Sequence, residues 1–387
     1  MRIDRYPGKM VTQLAERLME RYGNGAEALF DPYCGSGVIL KTAKDFGIKR
    51  IAGLDINPIA NLLSDIKLNG FCAKTALEKY HQIKDVIKYD KLELRMDWPN
   101  IDYWFSPATL HKYELLRGAA RQFKLNQTAS GRAILLAIAL SVRPCSRADQ
   151  RSPKPFISKN ARAVRSGKHF DPIKKTGEIL NILSEQYGRT QKTKVNLICA
   201  NFLAFNNNDL LGDPFSHVMT SPPYINAQDY FRNWKLELYM IEGLLPFRAD
   251  SIRNSFIGTE CGDLLANLPK DKIKYHCALI PHLDRLENLN KRLAAVVHRY
   301  LNDMSISVAN IIRLLTRNGT LVIVCGDNLI GHMRIETSSV LEKIIKNNGF
   351  TLIDKFVDKI RARQLAPKRH GHKGLIKEEI ILAFKKV

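Results

Sequence analysis

The chain has 387 residues, 45% of them hydrophobic, and its 60 Lys and Arg against 38 Asp and Glu give a net charge of +22. That length supports one large α/β domain with an insertion, or two domains, and the basic excess favours a polyanionic partner such as nucleic acid over an anionic membrane surface. Seven scattered cysteines with no Cys-x-x-Cys pair suggest neither a disulfide framework nor a zinc site, nothing at the start resembles a signal peptide, and no apolar stretch approaches the ~20 residues that span a bilayer, so a soluble cytoplasmic protein with reduced thiols is expected.

A first strand is predicted at residues 27–31. It runs into Asp31-Pro-Tyr-Cys-Gly-Ser-Gly37 and then a helix-like stretch from Val38 to Phe46. Gly35 and Gly37 lack a Cβ, so the backbone there can take a tight or left-handed path and a ligand can press against the main chain. Gly-x-Gly alone is a short signal, and the longer Gly-x-Gly-x-x-Gly that cradles a pyrophosphate is missing. A second strand at 50–55 ends in Asp55-Ile-Asn-Pro58. An acid at that strand tip is placed to hold two ribose hydroxyls, so the pair of turns suits a nucleoside without a pyrophosphate. The structural alternatives are a helix cap for Asp31 and a strand end for Asp55.

Residues 72–194 form an insertion far longer than an ordinary connection. From Ser106 to Lys194 it holds 18 Lys and Arg against 5 Asp and Glu, and its densest part, Arg143 to Lys168, has eight basic residues and one acid. That part is predicted to be a loop running along phosphates, through Arg143, Arg147, Arg151, Lys154, Arg162 and Arg165, with a bland solvated surface as the alternative. The apolar run Ala133–Val142 reads as a buried helix. Trp98, Tyr103, Trp104 and Phe105 read as core packing before base stacking.

Strands at 195–200 and 216–220 come next, and the latter ends in Thr-Ser-Pro-Pro-Tyr224. Two prolines stop the sheet ladder and fix the backbone, which makes a rigid ledge at a strand tip. The ledge offers the Ser221 hydroxyl, backbone carbonyls at Pro222 and Pro223 and the Tyr224 ring, a set suited to a flat heterocycle with an exocyclic amine. A simple proline turn is the other reading. Residues 241–292 are a second segment that could contact DNA or cover the site. Leu293 to Leu315 is amphipathic with Asn318-Gly319 as its stop, strands follow at 320–325, 350–357 and 379–385, and the last two make an antiparallel hairpin. The hairpin turn contains the acid-free run Arg361 to Lys373, in which Arg361, Arg363, Lys368 and Arg369 would touch phosphates. No metal site is expected from His370 and His372, which have no nearby carboxylate or thiolate.

Taken in this order, Asp31-Pro-Tyr-Cys-Gly-Ser-Gly37, Asp55-Ile-Asn-Pro58 and Ser221-Pro-Pro-Tyr224 resemble the S-adenosylmethionine-dependent DNA amino-methyltransferases. The resemblance covers roughly residues 5–70, 195–240 and 300–387, and includes Tyr6-Pro-Gly-Lys9, similar to the segment that closes over the methionine part of the cofactor. It implies an α/β fold with a seven-stranded, mostly parallel, Rossmann-like methyltransferase sheet, an antiparallel C-terminal hairpin and a basic, largely helical insertion. Residues 1–71 and 195–387 would then be the catalytic domain and 72–194 the DNA-reading region.

The resemblance also implies roles. S-adenosylmethionine would be held by Tyr6, Lys9, Asp31, Pro32, Cys34, Gly35, Ser36, Gly37, Asp55, Ile56, Asn57, Asn201 and Phe202, with Asp31 on the methionine amine, Asp55 on the ribose and Asn201 near the adenine. Ser221, Pro222, Pro223 and Tyr224 would act on the target base. A serine at the first of these positions is most typical of cytosine-N4 enzymes, and aspartate or asparagine of adenine-N6 enzymes. The expected function is thus transfer of methyl to the N4 amine of cytosine in double-stranded DNA, by base flipping and direct transfer. Adenine-N6 transfer, an RNA amine methyltransferase and a DNA-binding protein that has lost catalysis are the alternatives. A nucleoid-associated location and association with a restriction or defence system accompany that expectation. Carbon-5 methylation needs a cysteine beside proline; Pro144-Cys145 lies well before the catalytic strand.

Overall fold

The computed structural model describes residues 10–89, 92–152, 154–165, 168–191, 193–206, 212–225, 229–259, 261–265, 268–280, 283–331, 333–360 and 378–387. Nine strands are found among them: β1 Ala28–Asp31, β2 Arg50–Asp55, β3 Asn196–Cys199, β4 Phe215–Thr220, β5 Leu315–Cys325, β6 Asn328–Ile330, β7 Met333–Ile335, β8 Phe350–Lys359 and β9 Glu378–Lys386. Seven form one sheet in the order β3-β2-β1-β4-β5-β9-β8, and β6 pairs with β7 separately. Strands β3 through β5 along that order are parallel, whereas β9 is antiparallel to both β5 and β8. The seven strands and the terminal hairpin read from the sequence are therefore present, at nearly the predicted bounds.

The described residues form two compact units, one within 10–56, 195–229 and 253–387 and the other within 57–194 and 230–252. The first contains the sheet with α1 Thr12–Tyr22 and α2 Val38–Asp45. The second is helical: α3 Pro58–Asn69, α4 Ala73–Tyr89, α5 Ile101–Trp104, α6 Pro107–Gln122, α7 Ala129–Val142, α8 Lys159–Arg165, α9 Pro172–Tyr187, α10 Tyr230–Asn233, α11 Lys235–Ile241 and most of α12 Ala249–Arg253. The sheet unit ends with α13 Lys270–Leu279, α14 Leu283–Leu289, α15 Lys291–Leu314 and α16 Thr337–Lys346.

In the sheet unit, β1 is buried throughout and β2 nearly so, as strands covered on both faces must be. Phe30 of β1 stacks on Phe215 of β4 at 5.3 Å and tilts against Phe202 at 5.9 Å, at the centre of a core closed by Ile311 and Leu314 of α15. From β1 the chain steps outward to β2 and β3, then returns to place β4 on the other side of β1. That reversal between β1 and β4 is where an open α/β sheet leaves a crevice at its carboxyl edge.

In the helical unit, 12 of the 14 residues of α7 are buried, because α3, α4, α9 and α11 all pack against it. This moves the predicted boundary. The insertion was expected to begin at residue 72, but α3 belongs with it from Asn57, and residues 230–252 join it through α11.

One further expectation changes. The long helix is α15, and it ends at Leu314 because Leu315 already turns extended, with φ −92° and ψ 138°. Strand β5 pairs Leu315 with Phe215 and resumes at Thr320 with His217, so Asn318, at φ 60°, turns inside that irregular stretch and does not cap the helix. Within the segment 241–292, Phe256 and Ile257 are buried and the Arg299 guanidinium donates to the Asn254 carbonyl.

Candidate active site

Everything the first motif does begins at the carboxyl end of β1. Gly35 and Gly37 take φ of 50° and 73°, values that admit a side chain only with strain, and Gly37 opens α2. The turn is tied to β2 by the Cys34 amide donating to the Leu54 carbonyl at 3.0 Å and the Gly35 amide donating to Asp55 Oδ2 at 2.9 Å. A residue that sequence reading passed over makes this approach possible. A Cβ on Gly53 would stand 2.4 Å from Leu40 Cδ1 and 3.1 Å from Cys34 Cβ, so any larger residue would make Leu40 and the turn shift away from β2. Cys34 is consequently a buried packing residue, and burial holds its thiol well above the ordinary range. Pro32 and Ser36 are buried in the same turn.

Asp31 faces the second motif. Thr220, the last residue of β4, donates its hydroxyl to Asp31 Oδ1 at 2.6 Å, and the Tyr33 amide donates to the same oxygen at 3.1 Å. One buried hydrogen bond thus joins two motifs that lie 189 residues apart in the chain. Burial pushes the Asp31 carboxyl up to about 7; the two hydrogen bonds oppose this, and the charge of Asp55 adds to it. Its surroundings therefore supply donors and a second acid. The Tyr33 ring meets Phe202 edge-on at 5.7 Å while its hydroxyl donates to Ser307 of α15, at 2.8 Å, which fixes the turn from the far side.

Ser221 begins the ledge directly after Thr220. Its hydroxyl donates to Tyr224 Oη at 3.4 Å, and the Tyr224 hydroxyl donates to Glu379 Oε1 of β9 at 2.9 Å. Pro222 is buried, while Ser221, Pro223 and Tyr224 are half-buried. Below the ledge, Asn328 donates its side-chain amide to the Ile225 carbonyl at 2.8 Å. Asn328 carried no motif, and Glu379 counted only within the run Glu378-Glu-Ile-Ile-Leu-Ala-Phe384, part of the family resemblance, so sequence reading gave neither a role.

No family model matches the chain. Two curated relatives are similar to it: the Type II methyltransferase M.MjaII of Methanocaldococcus jannaschii, 36% identical over 66 residues, and the Type II methyltransferase M.BsoBI of Geobacillus stearothermophilus, 28% identical over 266 residues. The chain is similar to Type II methyltransferases. The matches cover 17% and 60% of this chain but 12% and 51% of those proteins, so it spans at most about half of either relative's length. A solved structure from Thermus thermophilus, provisionally assigned as a DNA modification methylase, is 22% identical over 27% of this chain and 41% of its own, and its TM-score of 0.19 supports no argument.

The remaining predicted residues fall in several places. Asn201 accepts from the Leu203 amide at 3.1 Å, so the oxygen expected near an adenine also caps a short turn, with Phe202 buried beside it. Ile56 is half-buried after Asp55. Asn57 belongs to the helical unit, where it caps α3 by accepting from the Ile59 amide at 3.0 Å. Tyr6, Lys9, Arg361, Arg363, Lys368 and Arg369 lie outside the described residues.

The described part of the basic segment is irregular from Arg143 to Ser158, as the expected loop should be. It contains α8, and several of its arginines turn inward because irregular backbone leaves carbonyls that need donors and a guanidinium has five. Arg143 is buried; it donates to the carbonyls of Ser152 and Asn233 at 2.6 and 2.8 Å and lies 3.5 Å from Glu237. Arg147 donates to the Asp102 carbonyl at 2.6 Å, and Arg165 to those of Ser146 and Pro144. Arg117, which no motif marked, holds the carbonyls of Leu94, Arg95 and Glu242. Lys154 is half-buried, Arg151 pairs with Asp149 at 2.7 Å, and Arg162 is exposed. Trp98, Trp104 and Phe105 are buried in this unit, and Tyr103 is exposed. Burial pushes the Cys145 thiol up to about 11, which suits packing and not nucleophilic attack.

Two groups of metal-competent side chains occur among the described residues, Cys277 with Glu287 and His298, and Glu93 with His111 and Glu114. In the first, His298 Nε2 and Glu287 Oε1 are 2.8 Å apart and already satisfy each other. No described helix is long and apolar enough to cross a membrane.

Proposed function

We propose that the protein is an S-adenosylmethionine-dependent DNA methyltransferase that modifies the exocyclic N4 amine of cytosine in duplex DNA. The observation that carries this reading is the Thr220–Asp31 hydrogen bond, which brings the glycine turn and the Ser-Pro-Pro-Tyr ledge to one point at the carboxyl edge of β1 and β4. The similarity to two Type II methyltransferases supports the substrate class.

The donor set suits the cofactor. A buried carboxylate whose neighbours are neutral donors and a second acid calls for a cation, which the methionine amine would provide at Asp31. Asp55 would accept the ribose hydroxyls, and the left-handed Gly35 and Gly37 leave room beside the main chain for the methionine portion. When bound, the cofactor supplies an electrophilic methyl on a sulfonium.

The chain's own part is orientation. An exocyclic amine is a poor nucleophile because its lone pair is delocalised into the ring. Ser221 Oγ and the Pro222 carbonyl would accept its two hydrogens and so favour the pyramidal nitrogen of the transition state. The flipped base would lie on the Tyr224 ring, whose edge is anchored through its hydroxyl. On methylation the nitrogen would give up one of its protons, which water at the half-buried ledge would take.

DNA from cells making the protein, digested and analysed as nucleosides by mass spectrometry, should contain N4-methylcytosine. N6-methyladenine alone would reassign the base, methylated ribonucleosides alone would reassign the polymer, and no methylation with intact DNA binding would mark a protein that has lost catalysis.

A further inference from the structure

The direction of the hydrogen bonds at the ledge involves Glu379, a residue to which sequence reading gave no role. A serine hydroxyl has one hydrogen, and in Ser221 it is directed to Tyr224 Oη. Toward anything else Ser221 Oγ is then an acceptor. The Tyr224 hydrogen is in turn directed to Glu379, and an ionised carboxylate has no hydrogen to return. The whole chain therefore takes its direction from Glu379.

We infer that Glu379 is a positioning residue: acting through Tyr224, it holds Ser221 as an acceptor and so selects a base that presents an amine over one that presents a carbonyl. This rests on the reading of the site as an amine methyltransferase. Cytosine and uracil differ in just this respect at carbon 4, and a site built to pair one hydrogen-bonding group discriminates strongly against the group of opposite sense.

The place of Glu379 fits the role. It is the second residue of β9, set opposite Asp358 of β8, and the adjoining Ile380 is registered with Cys325 of β5. The titratable groups facing it are thus the Tyr224 hydroxyl, the Asp358 carboxylate, which is itself paired with Arg17 of α1, and the Cys325 thiol. Burial raises the Glu379 carboxyl; the Tyr224 hydrogen bond opposes the shift, and the Asp358 charge adds to it. When the carboxyl gains a proton, it can donate to Tyr224, and the sense of the chain is no longer fixed. Wild-type turnover should accordingly fall as the pH drops through the raised pKa of Glu379.

Two variants test this on a duplex carrying the site that the wild type methylates. Glu379→Gln keeps the shape but cannot ionise, and its amide can present either a donor or an acceptor. Its single-turnover rate at neutral pH should fall about tenfold, the scale of one misdirected hydrogen bond. KM for DNA and cofactor binding should stay unchanged, and the acidic limb due to Glu379 should disappear. Glu379→Asp should restore part of the rate and of the limb. A readout independent of turnover is the binding of duplexes with cytosine or uracil at the target position. The wild type should prefer cytosine and Glu379→Gln should lose that preference, with unchanged circular dichroism showing that it folds. A wild type that methylates no DNA would sink the proposed function. A methylating wild type matched by Glu379→Gln in rate, acidic limb and base preference would sink the role of Glu379 alone.

Discussion

The carboxyl edge of the sheet and the basic segment of the helical unit invert one another. At the sheet edge, acids that look like ordinary strand ends are buried, and Asp31 is 2% exposed with its carboxyl pushed up to about 7. In the basic segment, arginines that look like a phosphate-binding surface are turned onto backbone carbonyls, and Arg143 is 7% exposed. Charge in a sequence marks where electrostatics matters, but only burial tells whether it serves a ligand or the fold. The largest expected effect follows from Arg143. Arg143→Ala would remove the buried cation facing Glu237 and its donors to two carbonyls, at a cost of about 3–5 kcal/mol in a urea melt. Arg162→Ala, on the exposed face of α8, should stay within about 0.5 kcal/mol. Unchanged stability in Arg143→Ala with weakened DNA binding would break the comparison and return Arg143 to the phosphates.

At the sheet edge the corresponding test concerns rate, not stability. On the proposed roles, Ser221→Ala removes an acceptor whose pull grows as the amine pyramidalises, and Tyr224→Ala removes the surface on which the base would rest. Each should lower methyl transfer by about 10²–10³-fold while leaving cofactor binding by calorimetry nearly unchanged, the scale seen when one transition-state hydrogen bond is deleted. Loss of cofactor binding in either variant would show that the ledge belongs to the cofactor pocket instead.

Why one region could be read from the sequence and the other could not is a matter of range. The sheet strands are short apolar runs closed by glycine or proline, so Asp31, Asp55 and Ser221 were fixed at strand tips by their immediate neighbours. Likewise, the apolar length of Ala133–Val142 was enough to foresee the buried α7. What could not be read depends on partners far along the chain. Glu379 meets Tyr224 across 155 positions, and Gly53 matters because Leu40 and Cys34 approach it. Arg143 meets the Asn233 carbonyl across 90 positions, and no local pattern distinguishes it from Arg162. The start of the helical unit at Asn57 was hidden for the same reason, since Asn57-Pro58 reads as a strand end until α3 is seen packed on α7.

A pH titration sharpens the contrast at Asp31. The carboxyl binds its proton more tightly folded than unfolded, where its value is 3.8, so from about pH 4 to about pH 7 the native state holds a proton that the unfolded chain does not. Stability of the cofactor-free protein should therefore fall as pH rises through that window, by up to about 1.4 kcal/mol per unit, and level off above it. Asp31→Asn should lose this slope. Cofactor affinity should move the opposite way, because the ionised carboxylate is the form that holds an amine: it should weaken as pH falls below about 7, and Asp31→Asn should be weak throughout. A variant that keeps both slopes would show that some other group titrates.

The smallest effect belongs to the two arginines of the basic segment with exposed guanidinium groups. Each phosphate contact contributes about 0.9 to the slope of log affinity against log salt. Arg162→Ala should therefore lower that slope by about one contact. Arg151→Ala should lower it less, because its guanidinium already lies on Asp149 at 2.7 Å and holds that carboxyl well below the usual range, so a phosphate would have to compete with a carboxylate for the same donors. Asp149→Asn should then raise the slope by freeing Arg151. If neither arginine nor Asp149 changes the salt dependence, the segment's charge faces only water and its inward arginines are its whole purpose, which would make this part of the net +22 a folding device.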